Sequence, residues 1–389
     1  MPESVIHSYP VWLPQTQTWM YTQISELPTD RFDSHVVCHF TANLDQFAPP
    51  HIHIFRDEHP LRYQLSRISR KIGGRYSSTF LREIVEKTGA SLVHSHFGDV
   101  GWRDLPAVRK NDVKHIVTFY GYDVGRLPAL EPAWHTRYAE LFDAVDLVLC
   151  EGDFMAQSIA FLGCPHEKIQ THHLGIDTAR IKFQPLDWTP GTPLRILLSA
   201  SFVEKKGLPY AIAALARLKD ELPIEVTIIG DAPGVANDNP EKRKIMEGIA
   251  TGGLEPHVTI LGYQPYQRLI EEAYRHHIFL SPSVTAADGD SEGGAPVTLI
   301  EMAAAGVNIV SSQHCDIPSV VLHKRTGLLA EERNVDEITA HLSWYAHHPD
   351  NWRSMLEAGR AHIEHEYNGH LQGKRLADIY EGLLRAQDA

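Results

Sequence analysis

Residues 286–306 read AADGDSEGGAPVTLIEMAAAG, and this stretch is the most informative in the 389-residue chain. Glu292 and the pair Gly293-Gly294 precede an apolar segment that has the composition of a helix, and Glu301 lies inside that segment. The backbone N–H groups at the start of a helix have no partner within it and lie at its positive dipole end. The pattern therefore predicts an anion-binding loop ahead of a helix, of a kind that suits a diphosphate.

The two carboxylates add hydrogen-bond acceptors on either side of that loop. Glu301 is predicted to accept from ribose hydroxyls and Glu292 from the hydroxyls of a sugar. Together with the backbone at Gly293, Gly294 and the first helical residues, these carboxylates form a predicted binding site for a nucleotide sugar. The first helical residues are Val297, Thr298 and Leu299. A Gly-Gly loop before an amphipathic helix also occurs without any ligand, and spacing alone leaves both interpretations open.

The segment Glu292–Glu301, EGGAPVTLIE, resembles the signature of the family-4 retaining glycosyltransferases. That signature has two glutamates separated by seven residues, whereas eight residues separate Glu292 from Glu301 here. The extra residue is most simply Gly293 or Gly294, and we expect it to bulge and to leave both carboxylates in place, because glycine tolerates positive φ angles. The resemblance covers nearly the whole chain and implies the GT-B fold.

Composition limits the class of protein. A chain of this length fits two domains, and 43% hydrophobic with 22% charged residues is ordinary for a globular protein. A net charge of −13 argues against a nucleic-acid binder. Four scattered cysteines and the absence of a metal-ligand spacing predict neither a disulfide framework nor a metal site. With no signal sequence or long apolar run, we expect a cytoplasmic protein.

Short apolar runs alternate with helical patterns along the chain, which predicts an α/β protein with two doubly wound parallel sheets. The predicted strands are Ser34–Phe40, Leu92–His96, His115–Thr118, Leu147–Glu151, Leu194–Ala200, Glu225–Ile229, Val258–Leu261, Ile278–Pro282 and Asn308–Ser311. We predict an acceptor-binding Rossmann-like domain at 1–183, a proline-rich linker at 184–193 and a donor-binding domain at 194–368. Residues 369–389 are predicted to form a helix that packs back on the first domain, and the two domains are expected to face a central cleft.

On the donor side, Lys205-Lys206-Gly207 follows a predicted strand and places positive charge where a diphosphate is expected. Lys206 matches a lysine of the family, but the usual arginine five residues earlier is Ser201 here. Gly230 follows the next strand and allows close approach of a ligand to the backbone. By resemblance, the backbone at Tyr263 and Gln264 contacts the nucleobase. Each of these turns also fits simple chain reversal.

On the acceptor side, His96 emerges from a predicted strand, and Thr118–Val124, TFYGYDV, resembles a second family motif. The family commonly has histidine where Tyr120 stands, and Asp123 keeps its place. We predict that His96, Tyr120 and Asp123 orient the acceptor, although a lone histidine is more often structural. The first loop, Thr16-Gln17-Thr18, departs from the family's Ser-Glu-Thr.

Residues 60–82 combine an apolar stripe of helical period with basic residues. Leu61, Leu65, Ile68 and Ile72 form the stripe, and the basic residues are Arg62, Arg67, Arg70, Lys71, Arg75 and Arg82. A basic amphipathic helix of this kind fits peripheral contact with an anionic inner membrane or with a lipid-linked acceptor. The same pattern also fits a helix whose stripe faces the core.

The resemblance implies a retaining hexosyltransferase that uses a UDP- or GDP-sugar and a saccharide or lipid-linked saccharide acceptor, in bacterial exopolysaccharide or lipopolysaccharide biosynthesis. Lys206 and Glu292 join His96, Tyr120 and Asp123 as the predicted catalytic group, and no cofactor or metal is expected. Two alternatives stay open. One is a GT-B sugar-nucleotide epimerase, and the other is a non-catalytic partner that binds a nucleotide sugar.

Overall fold

The computed structural model describes residues 2–14, 17–71, 74–234 and 239–385. Thr16 of the first loop, Ile72 of the apolar stripe and the side chain of Arg70 lie outside the described part. The chain divides into a first unit, Met1–Asp177 with Asn368–Ala389, and a second unit, Thr178–Tyr367. Residues 184–193 have no regular secondary structure, and Trp188 within them stacks on Trp352 of the second unit.

The first unit is built on a parallel sheet of seven strands. Its strands, with a separate short pair β2 and β4, are β1 (Glu3–Ser8), β2 (Val11–Trp12), β3 (Phe32–Cys38), β4 (Phe40–Thr41), β5 (His51–Ile54), β6 (Leu92–His96), β7 (Lys114–Thr118), β8 (Leu147–Cys150) and β9 (Ile169–Thr171). The sheet order is β5-β3-β1-β6-β7-β8-β9. Chain order therefore reverses between β1 and β6, which is the switch point of a doubly wound sheet.

Helices connect these strands. They are α1 (Thr18–Ser25), α2 (Phe55–Glu58), α3 (Pro60–Lys71), α4 (Ser78–Thr88), α5 (Gly98–Asn111), α6 (Arg126–Leu130), α7 (Ala133–Ala144) and α8 (Asp153–Phe161). Successive side chains of β1 point to opposite faces, as strand geometry requires. Ile6 packs with Phe80 of α4 and Val108 of α5, whereas Val5 belongs to a separate core cluster. Both faces of the sheet are thus covered by packed side chains, as in other parallel sheets.

The second unit contains a six-stranded parallel sheet. Its strands are β10 (Leu194–Ser199), β11 (Ile224–Ile229), β12 (Val258–Gly262), β13 (Ile278–Ser281), β14 (Asn308–Ser312) and β15 (Leu328–Ala330). Its helices are α9 (Leu208–Leu218), α10 (Pro240–Thr251), α11 (Tyr266–Ala273), α12 (Val297–Ala305), α13 (Ile317–Val320), α14 (Val335–His347) and α15 (Trp352–Glu366). The order β12-β11-β10-β13-β14-β15 puts the switch point between β10 and β13.

The last helix, α16 (Gly369–Arg385), returns to the first unit. Tyr380 is fully buried in the cluster that contains Val5, and Arg31 forms ion pairs with Asp378 and Glu381. A Cβ on Gly373 would lie 2.1 Å from the carbonyl oxygen of Glu26, so glycine is needed for the helix to approach this closely.

The fold class and all nine predicted strands are confirmed, with ends that differ by a few residues. The interpretation of residues 60–82 as a helix with a core-facing stripe is wrong, because Leu61, Leu65 and Ile68 are 85%, 54% and 62% exposed. Tyr63 and Ser66 take the packed side of α3 instead. Within the described residues, no helix is both long enough and apolar enough to cross a membrane.

Candidate functional site

The loops after β10 and β13 meet at the switch point of the second unit. Gly207, which joins the loop after β10 to α9, has φ +65°, and a Cβ there would lie 1.8 Å from the carbonyl oxygen of Pro282 in the loop after β13. The N–H of Val284 bonds to the carbonyl oxygen of Lys205 at 2.8 Å, which holds the two loops together. The sequence Lys-Lys-Gly therefore brings its positive charges to the edge of the sheet where such folds bind ligands.

Lys206 and Glu292, predicted from sequence as parts of one site, are in direct contact. Lys206 Nζ lies 2.8 Å from Glu292 Oε2, and the Ser283 hydroxyl donates to Glu292 Oε1 at 2.7 Å. The Glu292 side chain is only 7% exposed. Burial alone would raise its pKa, but Lys206, Lys205 and Ser283 outweigh this effect and hold the pKa of Glu292 below its ordinary value. Glu292 is therefore an anion held by the loop after β10.

His314, which follows β14, supports Glu292 from behind and was not predicted from the sequence. The backbone N–H of Glu292 donates to His314 Nε2 at 3.1 Å, so Nδ1 carries the proton and donates to Glu332 Oε1 at 2.6 Å. Glu332 also accepts from the backbone N–H of Thr285 at 2.9 Å. The only sequence signal was the position of His314 just beyond an apolar run, which is too common to single it out.

Lys205 serves a different part of the same loop. Its Nζ lies 3.1 Å from Asp290 Oδ1 and 2.9 Å from the carbonyl oxygen of Ser291. The two adjacent lysines thus bind two adjacent sections of the 286–296 loop. Lys205 fixes the loop through backbone and side chain, whereas Lys206 meets the buried carboxylate.

Helix α12 starts at Val297 with Pro296 at the N-cap, so Gly293 and Gly294 lie in the loop ahead of the helix, as the sequence predicts. Pro296 fixes φ at the entry to α12 and so limits how early the helix can begin. Gly293 has φ +75°, the left-handed conformation that the predicted glycine bulge needs. The N–H groups of Val297 and Thr298 lie in the first turn, where an α-helix supplies no acceptor.

Glu301 lies in the most buried part of α12, between apolar neighbours. It is 5% exposed, and burial raises its pKa to about 7, with an opposing contribution from a hydrogen bond to Tyr266. Tyr266 opens α11, directly after the loop that contains Tyr263 and Gln264. This contact brings the β12–α11 loop to Glu301, and the sequence did not single out Tyr266.

The ends of β10, β11 and β12 converge at Tyr263. Its hydroxyl donates to the carbonyl oxygen of Asp231 at 2.8 Å and contacts Ser201 Oγ at 3.3 Å. A Cβ on Gly230 would lie 1.9 Å from the carbonyl oxygen of Ala200, so glycine is required by packing there. Gln264 Nε2 donates to the carbonyl oxygen of Leu261 at 2.6 Å, which closes the turn.

In the first unit, His96 and Tyr120 are brought together, but inside the fold. His96 is fully buried, its Nδ1 lies 2.7 Å from the Tyr120 hydroxyl, and its Nε2 lies 3.2 Å from Nδ1 of His7. Burial lowers the pKa of His96 well below its ordinary value. In this arrangement both ring nitrogens of His96 already have partners.

Asp123 is also fully buried and acts on the backbone. Its carboxylate accepts from the N–H groups of Gly98 at 2.7 Å and Tyr120 at 3.0 Å, and Tyr138 donates to its carbonyl oxygen. Burial raises the pKa of Asp123 to about 7, although the two hydrogen bonds from the backbone act to lower this pKa. These contacts shape the loop after β7 and the start of α5.

A cavity of about 30 Å³ lies in the first unit, at the ends of β1 and β3. Tyr9, Ser77 and Arg103 contribute polar groups to its wall. The Tyr9 hydroxyl donates to Gln17 Oε1 at 2.7 Å, so the first loop that departs from the family pattern is tied to this wall. The volume is enough for a water molecule or a single hydroxyl group.

His7, His94 and His96 lie close enough together to be considered as metal ligands. His94 Nδ1 and Nε2 each lie 2.6 Å from a hydroxyl, of Tyr380 and Thr118 respectively. Among the described residues, His7 Nε2 is the one ring nitrogen of the three histidines without a hydrogen-bond partner. The arrangement is that of a neutral hydrogen-bonded network that joins β1, β6, β7 and α16.

Comparison with known proteins identifies the class. Residues 184–362 match the family model described as glycosyl transferases group 1, and residues 16–180 match glycosyltransferase family 4. Among solved structures, a glycosyltransferase from Rickettsia africae superposes with a TM-score of 0.78 at 17% identity, covering 98% of this chain and 99% of that chain. HepE from Anabaena, in complex with UDP and glucose, superposes with a TM-score of 0.71 at 13% identity, covering 97% and 99%. The fold is GT-B.

Two curated relatives identify the family. The chain is 34% identical over 298 residues to the amylovoran biosynthesis glycosyltransferase AmsK of Erwinia amylovora, covering 76% of this chain and 70% of AmsK. It is 31% identical over 301 residues to WcaL of Escherichia coli (strain K12), named as a colanic acid biosynthesis glycosyltransferase, covering 76% and 71%. The protein is a nucleotide-sugar-dependent glycosyltransferase. It belongs to the glycosyltransferase family that contains these two proteins.

Proposed function

We propose that the enzyme transfers a hexosyl unit from a UDP- or GDP-sugar, with retention of configuration, to a saccharide or lipid-linked saccharide acceptor in bacterial polysaccharide biosynthesis. The contact between Lys206 and Glu292 at the switch point of the second unit carries this proposal. The names of AmsK and WcaL support the pathway. A relative from Corynebacterium glutamicum, 27% identical over 305 residues, is named as a GDP-mannose-dependent mannosyltransferase, which supports GDP as one of the two nucleotides.

Lys206 and the backbone from Gly293 to the first turn of α12 bind the donor diphosphate. Lys206 supplies a cation, and the N–H groups of Val297 and Thr298, which have no acceptor within the helix, supply donors at the positive end of the helix dipole. Glu301 accepts hydrogen bonds from the ribose, Tyr263 and Gln264 contact the base, and Gly230 and Ser201 line the approach. Leu299 is fully buried and stabilises the start of α12 by packing.

Glu292 binds the donor sugar. When the diphosphate takes Lys206, the carboxylate is left with Ser283 and can accept from sugar hydroxyls. While Lys206 contacts the carboxylate, the lowered pKa keeps Glu292 ionised throughout the neutral range. Hydrogen bonds to an ionised acceptor are stronger than neutral ones, which suits a residue that must hold the ring during bond breaking.

The configuration at the anomeric carbon is retained because the acceptor attacks the same face of the sugar from which the diphosphate departs. The bond between the anomeric carbon and the diphosphate oxygen breaks, the acceptor oxygen bonds to that carbon on the same side, and the acceptor proton passes to the departing phosphate oxygen. Lys206 and the backbone N–H groups stabilise the negative charge that develops on the diphosphate. No metal is required for this charge stabilisation, and we propose that the enzyme uses no cofactor.

His96, Tyr120 and Asp123 act on the acceptor side as positioning residues. Asp123 fixes the N–H groups of Gly98 and Tyr120, and Tyr120 is held against His96. These hydrogen bonds shape the loop after β7. Tyr122 in this loop is 42% exposed and can contact an acceptor. We also propose that the enzyme works in the cytoplasm at the inner membrane, which it contacts through residues 60–82.

A donor panel tests the proposal. UDP-, GDP-, ADP- and dTDP-sugars are screened by thermal shift, and release of the nucleoside diphosphate is then measured with candidate acceptors. Stabilisation by one UDP- or GDP-sugar, with release of its nucleoside diphosphate, is the expected result. Stabilisation without release under any acceptor would contradict a transferase and favour a binding partner.

A further inference from the structure

One carboxylate and one imidazole join the two ends of the loop that carries Glu292. Glu332 Oε2 accepts from the backbone N–H of Thr285 at 2.9 Å, and Glu332 Oε1 lies 2.6 Å from His314 Nδ1. On the other side of the ring, His314 Nε2 accepts from the backbone N–H of Glu292 at 3.1 Å. Glu332 and His314 therefore link the first and last residues of the segment 285–292.

Three neighbouring strands bring these groups together. Thr285 follows β13, His314 follows β14 and Glu332 follows β15, and these strands are adjacent in the sheet. The carboxyl ends of parallel strands lie at one edge of a sheet, so residues far apart in the chain meet there. His314 is only 1% exposed. A ring enclosed to this degree acts on the loop rather than on a bound donor.

The partners of His314 fix which ring nitrogen carries the proton. A backbone N–H can only donate, so Nε2 accepts from Glu292, and Nδ1 donates to Glu332. Burial would raise the pKa of Glu332, but hydrogen bonds from His314 and Thr285 outweigh burial and hold this pKa below its ordinary value. The Cys315 thiol also lies 3.1 Å from Nε2, so a second donor faces this nitrogen. The ring thus presents an acceptor to the backbone of Glu292.

The hydrogen bond from the Glu292 backbone matters most when Lys206 leaves the carboxylate. Two side chains hold that carboxylate, Lys206 at 2.8 Å and Ser283 at 2.7 Å. A donor diphosphate that takes Lys206 removes one of them. The backbone beyond Glu292 adds little restraint, because Gly293 has φ +75° and glycine has wide conformational freedom. His314 and Ser283 then remain to keep the carboxylate in place.

We propose that His314, oriented by Glu332, is a positioning residue for sugar transfer, which holds Glu292 toward the donor sugar. It acts through the backbone of Glu292 and does not touch the substrate. Binding groups at a reaction centre depend on such supporting hydrogen bonds, since a small displacement of the group is costly to the rate. This inference rests on the proposed function for the role of Glu292, and it adds the pair of residues that keeps this carboxylate in place.

A double-mutant cycle between His314 and Glu292 tests the proposal. With the donor that the panel identifies, His314→Ala is expected to lower kcat/KM by roughly tenfold or more, because the Glu292 N–H loses its acceptor. Affinity for the free nucleoside diphosphate should stay within about twofold, since Glu292 contacts the sugar. In the Glu292→Gln background, His314→Ala should cost less than about threefold, because its effect passes through Glu292.

Two conservative variants keep the test valid where His314→Ala does not fold. His314→Gln has an amide oxygen that can accept from the same N–H, so it should retain more activity than His314→Ala. Glu332→Gln keeps the size of the side chain but weakens the hydrogen bond from Nδ1. It should lower kcat/KM by about threefold or more in wild type and by less in the Glu292→Gln background.

His341→Ala is the matched control, because His341 Nε2 lies 3.0 Å from the carbonyl oxygen of Leu329 in β15 of the same unit. This variant removes one histidine hydrogen bond and should keep the wild-type kcat/KM. Equal losses from His314→Ala in wild type and in Glu292→Gln would overturn the proposal, since only independent effects add. An equal fall in kcat/KM and in affinity for the nucleoside diphosphate would also overturn it, because the whole site is then damaged.

Hydrogen exchange gives a measurement that does not need turnover. The Glu292 amide should exchange roughly tenfold or more faster in His314→Ala than in wild type, and at the wild-type rate in His341→Ala. Unchanged exchange in His314→Ala would mean that the ring does not hold the loop, and would overturn the proposal. Absence of turnover in wild type with every donor of the panel would count against the proposed function, whereas the exchange rates would still decide whether His314 holds Glu292.

Discussion

Lys206 Nζ lies 2.8 Å from Glu292 Oε2 across the switch point of the second unit, so the cation and the carboxylate assigned to the donor neutralise each other. This pair is a buried contact, with side-chain exposures of 21% and 7%. A diphosphate competes with Glu292 for Lys206, and the freed carboxylate then has unfilled acceptor positions for the sugar. Separation of this one ion pair therefore makes Lys206 available to the diphosphate and Glu292 available to the sugar.

Glu292→Gln is expected to lower kcat/KM by roughly 10- to 100-fold, because a hydrogen bond from sugar to an ionised carboxylate is replaced by a neutral one. Affinity for the free nucleoside diphosphate should not fall, since Glu292 contacts the sugar and Lys206 is released. Steady-state kinetics and calorimetric titration of the diphosphate measure the two quantities. Asp290→Asn is the control in the same loop, because Asp290 pairs with Lys205. Equal losses in both variants would indicate loop damage only.

Donor affinity should depend on the ionisation of Glu301. Burial raises its pKa to about 7, and the ionised form accepts stronger, charge-assisted hydrogen bonds from the ribose hydroxyls than the protonated form does. Donor affinity is therefore expected to rise between about pH 6 and pH 8. In Glu301→Gln the affinity should be weaker and flat over this window, whereas Glu271→Gln, on the surface of α11, should keep the wild-type profile. A pH profile that survives in Glu301→Gln would exclude Glu301 as its source.

The same group affects stability with a defined sign. Because the folded pKa lies above the unfolded one, the contribution of Glu301 to stability is present below its ordinary pKa and is lost as pH rises through about 7. The free energy of unfolding of Glu301→Gln should therefore fall less than that of wild type over this range. Urea titrations at several pH values measure the difference.

The buried histidines predict acid sensitivity of the first unit. Burial lowers the pKa of His7 to about 3 and those of His115 and His172 to about 4. Because these groups stay neutral when folded but protonate when unfolded, stability is full above about pH 6.5 and is lost as pH falls toward these values. Replacing one, as in His7→Gln, should reduce the pH slope of the unfolding free energy by up to ~1.4 kcal/mol per pH unit. His365→Gln, at an exposed site, should leave the slope unchanged.

Gly207→Ala is expected to damage the donor site through packing. The left-handed backbone costs ~1 to 2 kcal/mol for a residue with a Cβ, and the clash with Pro282 adds about 1 to 3 kcal/mol. Gly191→Ala is a matched control in the same unit, because Gly191 has φ +89° but a Cβ there would meet nothing within 4 Å. Only Gly207→Ala should also lose donor turnover. Equal destabilisation of the two variants would mean that backbone strain alone is responsible.

The sequence predicted the fold through patterns of apolar runs, because strands covered on both faces are apolar along their length. Leu92–His96 agrees residue for residue with β6. β1, an inner strand of the first sheet, was missed because its two apolar residues are flanked by Glu3, Ser4, His7 and Ser8. His7 is buried there only because β6, β7 and α16 surround it, which is a tertiary effect that local sequence does not contain.

For the candidate site, motif residues were predictable and their supports were not. Lys206 and Glu292 were assigned to one site by resemblance, and the structure places them in contact. His314 and Tyr266 come from separate elements and are recognisable only once the sheet order is known. The stripe on α3 shows the converse limit, since a helical period gives the apolar face but not the direction in which that face points.

The central claim is that Lys206 holds the donor diphosphate while Lys205 only fixes the loop. The most direct measurement is calorimetric titration of the nucleoside diphosphate that the donor panel identifies into Lys206→Ala, with Lys205→Ala as the matched variant. We predict a loss of affinity of roughly 10- to 100-fold in Lys206→Ala, as for one charge-assisted contact, and a smaller loss in Lys205→Ala. Unchanged affinity in Lys206→Ala would contradict the assignment of the donor site.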